Sequence, residues 1–218
     1  MPSTAAELAN ALVETLPSAR LNLFNPWRES CPQDSPSNGP IQRQQRLAAH
    51  LDCRPRFILV GEAPGYQGCR YSGVAFTSER LLGEGAIPRI DPTGRLSKRH
   101  LPFSEPSATI VWSTLYRLDI AQCTVLWNAL QMHPYRAGQI WSNRTPSRDE
   151  IALGAPAMRL LRHAFPAAHV IAVGRKAEGL LTDMGIDVFA TVRHPANGGA
   201  TEFGQGLRDA TDRARAAG

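Results

Sequence analysis

Four short apolar runs of β-prone residues constrain the fold of this chain most strongly. These runs are Phe57 to Val60, Thr124 to Trp127, Val170 to Val173 and Val188 to Val192. The segments with helical character between them are Ser107 to Leu118, Ser147 to Ala164 and Arg175 to Asp183. Short, continuously apolar strands that alternate with helices are typical of a parallel sheet covered on both faces. The pattern therefore predicts an α/β protein with a three-layer α/β/α fold around a central, mainly parallel four-stranded sheet.

The N-terminal part of the chain predicts one helix followed by irregular structure. Residues 3–16 have the apolar spacing of a short amphipathic helix, which Ser3 or Thr4 would cap. Residues 25–40 are rich in proline, serine, asparagine and glycine, which favours an irregular segment. Since 218 residues suffice for one sizeable core, we expect a single domain on which residues 1–50 pack. At the other end, residues 200–216 predict a polar and fairly exposed helix.

Composition limits the compartment and the partners of the chain. The chain has 24 Lys and Arg residues against 19 Asp and Glu, a formal charge of +5 that suits a polyanionic partner. No apolar run approaches the roughly 18 residues of a membrane span, and no secretory signal begins the sequence, so a cytoplasmic location is expected. The four widely spaced cysteines form no C-x-x-C pair, and we expect no disulfide framework and no bound metal.

The loops that follow the predicted strands carry the candidate functional groups. In parallel α/β sheets, ligands bind at the carboxyl ends of the strands, where these loops gather. The four loops are Gly61 to Gly65, Asn128 to Pro134, Gly174 to Lys176 and His194 to Gly199. Three of them carry polar groups that suit a planar, uncharged ligand.

Three motifs in these regions resemble those of the uracil-DNA glycosylase superfamily. The first is ILVGEAPGYQGCRYSGVAFTSERLL at residues 58–82, closest to the G-E-x-P-G version of the iron-sulfur branch. The second is WNALQMHPYRAGQIWSNRTPSRDEI at residues 127–151, and the third is RHPANGG at residues 193–199. The motifs occur in the family's order and cover most of residues 57–199. The resemblance implies hydrolysis of the bond between uracil and deoxyribose in DNA.

The resemblance also implies a role for individual residues. Phe76 would stack on a flipped-out base, and Asn128 would pair with its N3–H and O4. His194 would donate a hydrogen bond to O2 of the departing base, while Glu62 or Gln67 would hold water. The remaining residues expected to bind the base are Gly61, Ala63, Pro64, Gly65 and Tyr66.

Basic and loop residues near these motifs are candidates for DNA binding. The predicted DNA-binding residues are Arg144, Arg175, Lys176, Arg193, Asn197 and Gly198. A basic, proline-containing loop over residues 84–106 adds Arg89, Arg95, Lys98 and Arg99. For each cation, an ordinary solvated charge is the alternative to a phosphate contact. The sequence leaves two interpretations of His133 as well: it would lie near a DNA phosphate, or it would be an ordinary surface residue.

The chain departs from the family pattern at several positions. Ala63 stands where the best-known branch carries an aspartate, which leaves water activation open. Met132 stands at one cysteine position of the iron-sulfur branch and Gly154 near another, so we expect no cluster, no cofactor and a cluster-free bacterial branch. Tyr66 lies one place later than the tyrosine that excludes thymine in the best-known branch.

These features together predict a monofunctional uracil-DNA glycosylase that acts on DNA as a monomer and leaves an abasic site. Three alternatives stay open. In the first, the enzyme accepts other deaminated bases such as hypoxanthine or xanthine. In the second, the protein is a catalytically weak lesion- or DNA-binding module of the same fold, an alternative that remains because Ala63 replaces the aspartate. In the third, it hydrolyses free nucleosides or nucleotides and does not depend on a DNA strand.

Overall fold

The structure, a computed structural model, describes residues 2–18 and 20–216. Its strands are β1 (Leu23–Phe24), β2 (Phe57–Gly61), β3 (Thr124–Asn128), β4 (His133–Pro134), β5 (His169–Val173) and β6 (Ala190–Val192). The helices before β3 are α1 (Ala5–Glu14), α2 (Pro40–Leu51), α3 (Cys69–Ser72), α4 (Glu79–Gly83) and α5 (Pro106–Arg117), with a 3-10 turn at Ala121–Cys123. The later helices are α6 (Arg148–Ala152), α7 (Ala155–Ala164), α8 (Arg175–Asp183) and α9 (Ala200–Ala216).

The central sheet has four parallel strands in the order β3-β2-β5-β6. Alternate residues of β2 face opposite layers. Phe57 and Leu59 belong to one hydrophobic cluster, which α5 and α9 cover, whereas Ile58 and Val60 belong to a second cluster, which α1, α7 and α8 cover. The predicted three-layer α/β/α fold with a mainly parallel four-stranded sheet is therefore confirmed. All four strands end at the same edge, which brings their following loops together.

The N-terminal segment contains one helix that the sequence pattern did not predict. The predicted first helix is present, and Thr4 caps it by accepting a hydrogen bond from Glu7 N–H at 3.1 Å. The additional helix, α2, begins at Pro40, the last residue of the segment expected to be irregular, and residues 25–39 are irregular as predicted. Its buried face includes Arg43, Arg46 and His50, so the apolar periodicity that usually reveals a buried helix face is missing.

Two other predicted helices differ from expectation. The segment expected as one helix from Ser147 to Ala164 is two helices, α6 and α7, interrupted at Gly154. Gly154 packs directly against the carbonyl oxygen of Ala129, where no side chain fits. The C-terminal helix, α9, was expected to be fairly exposed, yet it buries Phe203 and Leu207 against the sheet. In the part of the chain that the structure describes, no helix has both the length and the apolar character that crossing a membrane requires.

Candidate active site

Two adjoining cavities open at the carboxyl ends of the strands. The inner cavity has a volume of about 440 Å³ and reaches Phe76 and Asn128. The outer cavity, about 650 Å³, reaches Gln67 and Asn143. The residues that line both cavities are Glu62, Ala63, Pro64, Gly65, Glu105, His194, Ala196 and Asn197. Each of the four predicted loops contributes to the inner cavity, so the sequence located this cleft correctly.

Gly61, Phe76 and Asn128 meet at the wall of the inner cavity. Gly61 ends β2 and pairs with Asn128 at the end of β3. A Cβ atom on Gly61 would lie 2.6 Å from Phe76 Cζ and 2.8 Å from Asn128 Oδ1, closer than real carbon contacts. Only glycine therefore allows the aromatic ring and the amide to approach this strand end together.

The backbone of Phe76 is held in an unusual conformation. Its φ is 49°, in the left-handed region that residues with a Cβ atom rarely adopt. The next residue, Thr77, is fixed because its hydroxyl donates to Ala75 O at 3.0 Å and accepts from Trp112 Nε1–H at 3.1 Å. Buried side chains thus hold the strained backbone that turns the Phe76 ring toward the cavity.

The side-chain amide of Asn128 is buried and free. Only 5% of the residue is exposed. Gln131 Nε2 donates to the backbone carbonyl of Asn128 at 2.6 Å, which fixes the strand end. Within the described residues, the Asn128 amide itself makes no hydrogen bond to protein. A buried amide without partners is an available donor and acceptor for a ligand.

His194 presents one nitrogen as a hydrogen-bond donor. Its Nδ1 accepts from Ala196 N–H at 3.1 Å, so the neutral ring carries its proton on Nε2. Burial, and secondly the positive charge of Arg193, lower the pKa of His194 and favour this neutral form. The ring centroid lies 6.3 Å from that of Phe76. His194 is therefore placed to donate into the cavity that Phe76 and Asn128 line.

The Gly61 to Gly65 loop lines the cleft and carries backbone donors that have no acceptor among the described residues. The carbonyls of Gly61 and Glu62 accept from Ala129 N–H at 2.8 Å and Leu130 N–H at 3.0 Å, which fastens the loop to the chain after β3. By contrast, the N–H groups of Ala63 and Gly65 have no acceptor among the described residues. Two free backbone donors beside a cavity suit a ligand oxygen that carries partial negative charge.

The first motif loop is also held by a polar network that extends from the exposed Asn143 to the buried His133 and Arg70. Asn143 Oδ1 accepts from Tyr66 N–H at 3.0 Å and lies 3.2 Å from His133 Nε2. His133 Nε2 donates to Ser142 O at 2.9 Å, so its Nδ1 accepts from the buried Arg70 guanidinium at 2.8 Å. Burial, and then Arg70, lower the pKa of His133 to about 3. Both sequence interpretations of His133, as a phosphate contact and as a surface residue, are wrong because the side chain is fully buried.

Glu62 lines both cavities and faces a lysine. Lys176 Nζ lies 3.4 Å from Glu62 Oε1 and 3.4 Å from Thr145 Oγ1. The Glu62 side chain is 29% exposed and that of Lys176 is 65% exposed. This ion pair is accordingly a solvent-screened contact at the rim of the inner cavity.

The predicted basic residues divide into two sets. Arg175, Lys176 and Arg193 line the inner cavity and are exposed. Asn197 and Gly198, with φ of 53° and 78°, form a tight exposed turn beside them. We call Arg175, Lys176 and Arg193 the cationic rim. Their position fits the expected contact with an anionic strand.

Most of the other predicted cations bind groups of the protein itself. The guanidinium of Arg144 donates to the Glu150 carboxylate at 2.7 Å and to Asn22 O at 3.0 Å, although the residue lines the outer cavity. Arg89 and Lys98 donate to backbone carbonyls, and Arg95 pairs with Glu79 at 2.7 Å. These three and Arg99 line neither cavity. The structure gives no support to a phosphate-binding role for the residue 84–106 loop.

Two predicted residues lie farther from the inner cavity, and one unpredicted residue lies between the two cavities. Gln67 lines only the outer cavity. Tyr66 lines neither, and its ring packs edge-on against Phe103 with centroids 5.9 Å apart. Glu105, which no sequence motif singled out, lines both cavities.

The residues present do not fit an iron-sulfur cluster. Met132 is fully buried in an apolar cluster, and Gly154 is packed against the backbone of Ala129. Among residues 2–18 and 20–216, no group of three or more His, Cys, Asp or Glu side chains is arranged to hold a metal ion.

Comparison with known proteins adds evidence on the fold. No protein-family model matches the chain, and no curated protein matches it by sequence. Among solved structures, the chain is similar to SMUG2 from Pedobacter heparinus, with 14% identity and a TM-score of 0.68. The match covers 98% of this chain and 99% of that one. At this identity the likeness establishes the fold, which is shared along nearly the whole length of both chains.

Proposed function

We propose that this protein is a DNA glycosylase that hydrolyses the N-glycosidic bond of a flipped-out uracil and leaves an abasic site. The observation that carries the proposal is the inner cavity itself. It brings together the Phe76 ring, the free amide of Asn128 and the neutral His194. Two further findings support it: the fold is shared with SMUG2 along nearly the whole chain, and the three sequence motifs resemble those of the uracil-DNA glycosylase superfamily.

The cavity suits the charge changes of this reaction. As the bond from deoxyribose C1′ to N1 breaks, positive charge develops on the sugar and negative charge on the base. The Nε2–H of His194 and the free N–H groups of Ala63 and Gly65 would stabilise the base anion at O2. Phe76 would hold the ring by stacking after the base leaves the duplex. Glu62, a carboxylate at the rim, would favour the positive charge on the sugar.

A single-turnover assay on DNA tests this function. A labelled oligonucleotide with one uracil is incubated with excess protein and then treated with alkali, with hypoxanthine, xanthine and thymine substrates and free deoxyuridine in parallel. We expect strand scission at uracil only after alkali, as for a monofunctional enzyme without lyase chemistry. No base release from any substrate, with salt-sensitive DNA binding intact, would replace the proposal with a lesion-binding module.

Asn128→Asp is expected to change which base is released. An amide can pair with the N3–H and O4 of uracil, whereas a carboxylate only accepts hydrogen bonds and so favours the amino group of cytosine. The ratio of cytosine to uracil excision in single-turnover reactions should rise by about tenfold or more, because each such polar contact discriminates by about 1–3 kcal/mol. Asn143→Asp is the control with the same chemical change outside the inner cavity. An unchanged ratio in Asn128→Asp would remove this residue from base recognition.

The cationic rim and Arg144 are expected to respond differently to alanine substitution. Arg175→Ala with Arg193→Ala should flatten the dependence of log Kd on log salt by about one unit for each lost phosphate contact. Arg144→Ala should instead lower the free energy of unfolding by about 1–2 kcal/mol, because it breaks the contacts to Glu150 and Asn22. Arg54→Ala, an exposed arginine before β2, is the control. Equal salt slopes for the double variant and the control would exclude a DNA contact at the rim.

A further inference from the structure

Glu105 lies at the junction of the inner and outer cavities. It is the N-cap residue of α5, yet its side chain makes no capping hydrogen bond to the helix. Its Oε2 atom is buried and has no hydrogen-bond partner within the described residues. The carboxylate therefore turns away from the donors that usually satisfy an acidic cap and lies beside the cleft instead.

Two glycines of the first motif leave room for this carboxylate. A Cβ atom on Gly65 would lie 3.5 Å from Glu105 Oε1. A Cβ atom on Gly68 would collide with Glu105 Oε2. The carboxylate consequently packs against the bare backbone of these two glycines, where a larger residue would displace it.

The placement of Glu105 is unfavourable for folding and favourable for proton transfer. A carboxylate oxygen that is buried without a hydrogen bond, as Glu105 Oε2 is, destabilises the folded state. Burial raises the pKa of Glu105 to about 7, near the pH at which a general base is most effective. Glu62, the other carboxylate of the cleft, faces Lys176. Two carboxylates in such different surroundings are typical of sites in which they have different roles.

We propose that Glu105 is the catalytic base that holds and deprotonates the attacking water, an inference that rests on the proposed glycosylase function. The bond between C1′ and N1 breaks, and its electron pair leaves with the base. The water oxygen bonds to C1′, and one water proton passes to the Glu105 carboxylate. The base anion is stabilised by His194 and takes a proton from solvent. Ala63, where the best-known branch has an aspartate, cannot perform this step because it carries no acceptor.

The pH dependence of the step depends on the charged groups around Glu105. The titratable groups that line the cavities with it are Glu62, Cys69, Arg144, Arg175, Lys176, Arg193 and His194. Cys69 is buried with a raised pKa and so stays neutral. The pKa of His194 is lowered below its usual 6.5, so its titration falls on the acid side of that of Glu105. A rise in rate near pH 7 would therefore report Glu105.

The test compares Glu105→Gln with Glu62→Gln and the unaltered protein in single-turnover uracil excision from pH 5 to pH 9. We expect Glu105→Gln to be slower by about 100-fold or more at pH 8, and to lack the rise near pH 7. Its Kd for abasic product DNA should stay within about threefold and its Tm should not fall, because glutamine removes a buried charge. Glu62→Gln should retain the rise near pH 7.

Two outcomes overturn the proposal about Glu105 without affecting the proposed function. One is a Glu105→Gln variant that excises uracil within about threefold of the unaltered rate. The other is an unaltered protein whose rate is flat from pH 6 to pH 8. If Glu105→Gln does not fold, Glu105→Asp is measured, and it should be slower while keeping the rise with pH; an unchanged rate counts against the proposal. An unaltered protein that releases no base at all contradicts the proposed function itself.

Discussion

Gly61→Ala is expected to lower single-turnover uracil excision by at least about 100-fold. The added methyl group would lie 2.6 Å from Phe76 Cζ and 2.8 Å from Asn128 Oδ1, so the ring and the amide would both have to move. Phe76 moves reluctantly because buried neighbours hold its backbone at a φ of 49°. Misplacing both base contacts by about 1 Å removes the aligned geometry on which excision depends.

The same substitution elsewhere provides the control for Gly61→Ala. Gly179 lies within α8 and a Cβ atom there meets nothing within 4 Å, so Gly179→Ala should leave excision unchanged and add about 1 kcal/mol of stability. Overpacking at Gly61 should reduce the free energy of unfolding by about 1–3 kcal/mol, which thermal unfolding measures. A Gly61→Ala protein that is folded and excises uracil at a normal rate would show that the base does not lie against Phe76 and Asn128.

His194→Ala is expected to slow excision by about 10²–10³-fold, the usual loss when one donor to a developing anion is removed. The donor is Nε2–H, because Nδ1 already accepts from Ala196 N–H. Since this contact strengthens only as the base becomes an anion, the Kd for abasic product DNA should change by less than about threefold. Single-turnover rates and binding titrations measure the two quantities.

His163→Ala is the matched control for His194→Ala, because His163 is exposed on α7 and lines neither cavity. His194→Gln is a useful second variant, since it restores a donor of similar reach and should recover part of the lost rate. Equal excision by His194→Ala and the unaltered protein would mean that the base anion is stabilised elsewhere, with the Ala63 and Gly65 N–H groups as the remaining donors.

Much of the fold was predictable because the sheet has a simple sequence pattern. Parallel strands buried on both faces are continuously apolar, and α8 begins and ends as predicted, at Arg175 and Asp183. The helix α2 was not predictable from periodicity, because the charged or polar side chains of Arg43, Arg46 and His50 lie on its buried face. Some of their partners come from distant segments, such as Leu126, whose N–H donates to His50 Nε2 at 2.8 Å, and sequence spacing does not reveal them.

The candidate site was predictable where a residue directly follows a strand. Asn128 and the Gly61 to Gly65 loop are of this kind, since β2 and β3 end side by side. Glu105 was missed because it reaches the cleft from the start of α5, far along the chain from any motif. Arg144 was assigned to DNA although Ser147 and Glu150 form a capping box that the sequence does show. That pattern was a readable signal that Glu150 is ordered and available to bind a nearby arginine.

The strained Phe76 backbone has a consequence for turnover under the proposed function. The Phe76 ring is already held in position in the folded protein, before any base binds. The cavity therefore receives the base without rearrangement. The same rigidity makes the cavity a good receptor for the detached base, which differs from the bound substrate only in lacking the sugar. Free uracil would accordingly compete with damaged DNA, and departure of the products, rather than bond cleavage, would limit the steady-state rate.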